Sequence, residues 1–169
     1  SDHRACLVSV DGDAASGHHV SQGSDLLCGF ELLVAELALG ADGVQVGSAF
    51  AVAEESAAHP AFKNKIIAAA EGDTKLAMKE LVPVRLLKNE FAEAVATAEA
   101  NGANREALIE LLGRARAKLG MFEGDMENGE LEIGQVSAML NEIKPAAEIF
   151  QNIWEGFLTE KDRITTLKF

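Results

Sequence analysis

Ala38-Leu39-Gly40-Ala41-Asp42-Gly43-Val44-Gln45-Val46-Gly47-Ser48 is the stretch on which the reading of the whole chain turns. Val44 and Val46 flank a glutamine and are bounded by Gly43 and Gly47, the pattern of a short buried strand entered and left by tight turns. Just upstream, residues 30–39 are apolar and rich in Ala and Leu, and Gly40 supplies a left-handed stop for a helix. Downstream, the next helix is predicted to begin near Ser56 or Pro60, where the missing proline N–H costs nothing. It carries Phe62, Ile66, Ile67 and Ala70 on one side and stops at Gly72. Helix, strand, helix with tight links is the local signature of a parallel α/β sheet or barrel. A strand that ends in Gly47-Ser48 offers main-chain amides beyond its C-terminal edge. Glycine there lets an anion's oxygens approach the backbone, and the serine hydroxyl adds a donor. The plainer alternative is a buried strand with a tight turn and no ligand.

The flanks are less informative. Residues 1–29 are rich in Gly, Ser, Asp and His, with one short apolar run, Cys6-Leu7-Val8-Ser9-Val10, that reads as a candidate strand. Residues 73–169 are predicted to be mainly helical. Leu108, Leu111, Leu112 and Ala115 recur at helical spacing, with Gly120 closing that element. Val136, Met139, Leu140 and Ile143 repeat the spacing. Pro145 then opens a helix bearing Ala146, Ile149, Phe150, Ile153, Trp154 and Phe157. All these stripes are read as core. The chain thus divides into a loop-rich segment at 1–29, a helix-strand-helix unit at 30–72 and a helical region at 73–169.

Composition narrows the function classes. The 169 residues, 48% hydrophobic, allow one cored domain. Fifteen basic residues against 27 acidic ones leave a formal charge of -12, which argues against a nucleic-acid binder or an anionic membrane surface as partner. Cys6 and Cys28 form no Cys-x-x-Cys pair, and His3, His18, His19 and Cys6 lack an ordered ligand spacing, so no metal site is expected. No run of about 18 apolar residues suggests a membrane span, and Ser1-Asp2-His3-Arg4 has no basic stretch feeding an apolar core. A cytoplasmic protein with reduced thiols is the expectation, and the lack of a starting Met suggests a chain that is not a complete gene product.

The ordered set of short segments resembles the nitronate monooxygenase family, which includes the flavin-dependent enoyl-[acyl-carrier-protein] reductases and the former 2-nitropropane dioxygenases. The segments are residues 38–48 with Phe50, Glu54-Glu55-Ser56, His59-Pro60, Gly72-Asp73-Thr74, Arg85-Leu86-Leu87-Lys88-Asn89-Glu90-Phe91, Leu112-Gly113-Arg114, residues 120–125 and Gly129-Glu130-Leu131-Glu132-Ile133-Gly134-Gln135. The resemblance covers roughly residues 30–160. It implies an α/β fold, the C-terminal part of a (β/α)8 TIM barrel followed by a mostly helical region. It also implies FMN as cofactor, with NAD(P)H as a possible reductant, and hydride transfer through the flavin to or from a small-molecule or acyl-thioester substrate. Gly47 and Ser48 would hold part of the FMN phosphate, where such barrels place cofactor phosphates after the last strands. Gln45 would lie under or beside the flavin, and Gly134 and Gln135 would come near it. Gln135 is also readable as a solvent-facing residue at a helix start. Arg85 and Lys88 face either an anionic substrate or water, with water the simpler reading.

The sequence also departs from the family. Gly47-Ser48-Ala49-Phe50 stands where a Gly-Thr-Arg-Phe is usual, so the hydroxyl is kept and a charge is lost. Ser24-Asp25-Leu26-Leu27-Cys28 lacks the glycine pair of a phosphate loop. Asp13-Ala14-Ala15-Ser16-Gly17-His18-His19 faintly echoes a Gly-Gly-His segment, which would make His18 the catalytic proton donor or base; the alternative is a loop histidine. A full barrel takes about 200 residues or more, so an incomplete, helix-dominated barrel is expected. A truncated gene, a cut chain, or a subunit completed by another chain or by a homodimer would each account for this. The competing function is a non-catalytic helical interaction domain derived from such an enzyme.

Overall fold

The computed structural model describes residues 7–9 and 30–167. Length leads to the expectation of one cored domain; the chain instead divides into two compact units, Ser1–Glu55 with Lys144–Phe169, and Ser56–Ile143.

In the first unit, β1 (Leu7–Ser9) pairs in parallel with β2 (Gly43–Gln45), Val8 opposite Val44. Parallel neighbours need a long crossover, and α1 (Phe30–Ala38) lies on it. Gly40, at φ +99°, supplies the left-handed stop that lets the chain leave α1 and enter β2. After β2 the backbone turns at Gly47 into the short α2 (Ser48–Ala51). The unit is closed by α6 (Ala146–Thr165), which packs on α1 and α2. Its start is tied down by Glu55, whose Oε2 accepts the Ala146 amide at 2.8 Å, and by the Glu54 amide, which donates to Lys144 O at 2.9 Å. A carboxylate at the positive end of a helix both fills an open amide and opposes the dipole favourably.

The second unit begins with α3 (Pro60–Ile67), one of the two starts foreseen. His59 is its N-cap, with Nδ1 accepting the Ala61 amide at 3.1 Å. The antiparallel pair β3 (Thr74–Ala77) and β4 (Val84–Leu87) follows, Lys75 opposite Leu86. Residues 131–133 extend it: Leu87 N–H donates to Leu131 O at 2.9 Å and Ile133 N–H to Arg85 O at 3.1 Å. Two helices cover the pair, α4 (Glu90–Ala100) and α5 (Arg105–Leu112), capped by the Asn89 and Asn104 side chains. Their apolar faces meet the sheet in one core of Ala77, Met78, Leu86, Phe91, Ala92, Val95 and Leu108.

Four sequence expectations for residues 73–169 need correction. This stretch holds the β3–β4 pair as well as helices, since two four-residue strands are too short to show a period. The helix through Leu108 does not reach Ala115 or close at Gly120. It stops at Gly113, φ +66°, and Arg116 folds back so that its guanidinium donates to Leu111 O and Leu112 O. Gly120 lies instead in a π-helical turn, Lys118–Phe122. The stretch through Val136 is a 3₁₀ helix, Gln135–Met139, ended by extended Leu140 and by Pro145 further on. The last expected core stripe is not buried either: no residue of α6 is, and Phe150 and Trp154 are 60% and 47% exposed.

Among the described residues the strands make these pairings and no closed barrel.

Candidate functional site

The end of β2 positions the residues that the sequence singled out. Gln45, the last residue of β2, is exposed, and Gly47 is the exposed N-cap of α2. Gly47 has φ −105° and ψ −63°, a conformation open to any residue, so its lack of a side chain matters for close approach and not for the turn. The first turn closes through the Ala51 amide, which donates to Gly47 O at 2.9 Å. The amides of Ala49 and Phe50 precede the first intrahelical donor, Ala51, and amides so placed suit an oxyanion. Ser48 is only 3% exposed, main chain and hydroxyl together, so Gly47 is the accessible part of the turn.

Gly134 and Gln135 belong to the second unit. Gly134 is buried and opens the 3₁₀ helix, its carbonyl accepting the Ser137 amide at 3.1 Å, while Gln135 is exposed. Ser137, wholly buried, has a hydroxyl with no hydrogen-bond partner among the described residues. A buried orphan of this kind costs about 1–3 kcal/mol, and nothing in the sequence marked it. His18, with Cys6, Cys28, His3 and His19, lies outside the described residues.

Lys88 stands 3.8 Å from Asp73 in an exposed pair. Arg85 donates from Nη1 to Thr74 Oγ1 at 3.3 Å, and its buried Nε has no partner among the described residues.

The electrostatics of the second unit centre on residues 125–132. The Asn128 amide, 2.8 Å from Asp125 Oδ1, is the main influence holding that carboxyl below its ordinary range. Burial pushes the Glu130 carboxyl up to about 7, the Glu132 charge adds to the rise, and Arg116 opposes it. Burial also raises Glu132. A sequence reading misses this pair, because Glu130 and Glu132 look like surface acids until residues 131–133 are seen to join the edge of β4.

FMN carries a phosphate and an isoalloxazine ring. The α2 start fits the phosphate in part: an exposed glycine opens the helix, but the Ser48 that follows is buried and the Gly47-Ser48-Ala49-Phe50 run has no basic side chain. Among the described residues no group of three or more His, Cys, Asp or Glu could hold a metal ion, and no helix is long and apolar enough to cross a membrane.

A family model described as nitronate monooxygenase matches residues 31–156. A 42-residue stretch is 62% identical to a "Probable nitronate monooxygenase" of Bacillus subtilis (strain 168), covering 25% of this chain and 12% of that protein. Among solved structures, FabK from Thermotoga maritima is 30% identical with a TM-score of 0.70, over 82% of this chain and 44% of that one. A nitroalkane oxidase from Streptomyces ansochromogenes is 26% identical with a TM-score of 0.61, over 82% of this chain and 39% of that one. The chain therefore spans less than half the length of these relatives. With a family match over three quarters of its residues, the chain belongs to the nitronate monooxygenase family.

Proposed function

We propose that this chain is the C-terminal part of a (β/α)8-barrel, FMN-dependent oxidoreductase, and that Gly47 and Ser48 hold the cofactor phosphate through main-chain amides. One observation carries the reading: β2, parallel to β1, ends in a turn that opens a helix at Gly47-Ser48, within the stretch matched to the family. Gln45, exposed at the strand end, is the side chain suited to lie beside the flavin ring. His18 is the proposed proton donor or base. When bound, the flavin would exchange a hydride with the substrate or with NAD(P)H. The chain's own residues orient it and set the charge around it. Without the rest of the barrel, activity is expected to be impaired or absent.

The test is titration of the 169-residue chain with FMN, followed by quenching of flavin fluorescence. Weak binding is expected, competed by inorganic phosphate and abolished in Gly47→Glu, where a carboxylate would oppose the phosphate. Binding untouched by Gly47→Glu would overturn the site, and tight binding by the isolated chain would overturn the reading of an incomplete barrel. In a full-length version, NADH consumption with crotonyl thioester but not with a nitroalkane would assign the reductase chemistry, and the reverse the monooxygenase chemistry.

A second reading draws on α6. Twenty residues without one buried side chain, bearing exposed Phe150 and Trp154, also suit a helical interaction domain without catalysis. Under that reading the chain stays colourless and binds no FMN.

A further inference from the structure

Residues 129–133 cross the second unit under tight constraint. A Cβ on Gly129 would fall 2.1 Å from Gly120 Cα, and one on Gly120 would fall 2.7 Å from Glu130 O, so the two backbones touch. The Glu130 amide then donates to Arg116 O at 3.1 Å, and residues 131–133 join the edge of β4, with Glu132 opposite Leu86. Residues two apart on a strand share a face. Leu131 and Ile133 go to one side, where they are buried, and Glu130 and Glu132 go to the other.

Glu130 is only 7% exposed, and its carboxylate has neither hydrogen bond nor ion pair among the described residues. Glu132, half-buried, is in the same position. Two ionisable groups bear on Glu130: Glu132 from its own strand, and Arg116 from the segment after α5. Arg116 cannot act as a dedicated partner. Its guanidinium donates to Leu111 O, Leu112 O and Asn128 O and lies 4.9 Å from the centre of the Phe91 ring. From β4, Arg85 spends Nη1 on Thr74. Two carboxylates sharing one partly buried face cannot both ionise without cost.

We propose that Glu130 and Glu132 form a proton-operated clasp: while the pair retains a proton, residues 131–133 stay zipped to β4, and full ionisation loosens that strand together with the turn into Gly134 and Gln135. The inference concerns the chain's own hydrogen bonds and holds with or without flavin. The direction of the pH dependence follows from the raised carboxyl. Glu130 titrates near 7 in place against an ordinary 4.5, so its closing contribution is complete below about 4.5 and is lost as pH rises through 7.

Amide hydrogen exchange of the whole 169-residue chain, measured by NMR between pH 5 and 8 and corrected for the intrinsic rate, tests the clasp. The reporters are the Leu87 and Ile133 amides, which hold the strand to β4. Their opening is expected to rise about tenfold or more from pH 5 to 7 and to level off above, a factor of ten for each unit of effective shift. The Val95 amide in α4 should show no such rise. Glu130→Gln should flatten the profile at Leu87 and Ile133, and Glu132→Gln should reduce it. A flat wild-type profile, an unchanged rise in Glu130→Gln, or an equal rise at Val95 would each overturn the clasp. Should Glu130→Gln fail to fold, the side-chain carboxyl carbon of Glu130 in the wild-type chain decides: a midpoint near 7 supports the clasp and one near 4.5 overturns it.

Discussion

Helices α4 and α6 carry the same kind of apolar pattern and meet opposite fates. The eleven residues of α4 bury Phe91, Ala92 and Val95 against the β3–β4 pair, whereas the twenty of α6 bury none, and its Trp154 stacks on Phe157, ring centres 5.5 Å apart, while still half open to solvent. The difference lies opposite the helices and not within them. A sheet face and α5 close over α4; among the described residues of its own unit, α6 meets α1 and α2, which cover one side of it. Helical periodicity states which way a face points, and says nothing of what it will find there.

Substitutions can break that contrast or sharpen it. Phe91→Ala should have the largest effect, about 3–5 kcal/mol, because it empties a fully packed site and removes the ring under Arg116. Urea unfolding followed by far-UV circular dichroism would read it, and a loss below about 1 kcal/mol would contradict the burial assigned to α4. Next comes Asn89→Ala. Asn89 Oδ1 caps α4 through the Ala92 amide at 2.8 Å, and its Nδ2 reaches Gly129 O at 2.8 Å and Met126 O at 3.2 Å. Losing the cap and both carbonyl contacts should cost about 2–3 kcal/mol. Asn89→Asp keeps only the cap and should recover part of that loss. The smallest effect belongs to Trp154→Ala on α6. With the ring half exposed, its truncation should cost about 1 kcal/mol or less in this chain. A cost comparable to that of Phe91→Ala would show that the α6 face is covered after all.

The same contrast marks how far the sequence could be read. The stop at Gly40, the strand at Gly43–Gln45 and the start of α3 at Pro60 were legible because each rests on local backbone chemistry: a left-handed glycine, a valine pair between glycines, a proline without an N–H. The β3–β4 pair was not legible, since Thr74–Ala77 and Val84–Leu87 earn their strand geometry from each other and from residues 131–133, more than forty positions downstream. The end of α5 was missed for a related reason. Arg116 is an ordinary surface cation in the sequence, and only in the fold do its donors meet the last carbonyls of the helix. Of the candidate site, the Gly47-Ser48 turn could be placed at a strand end, but the burial of Ser48 could not. Glu130 offered no signal at all, because its raised carboxyl comes from burial in the fold and from the Glu132 charge.

The sequence alone settled membership of the nitronate monooxygenase family and the short elements whose causes lie within a few residues of themselves. Which apolar stripes became core, which strands paired, and which acidic residues among those described became buried were decided by tertiary structure. The reason is range: dihedral preferences and caps act along the chain, while burial, pairing and desolvation depend on what distant segments bring to the opposite side.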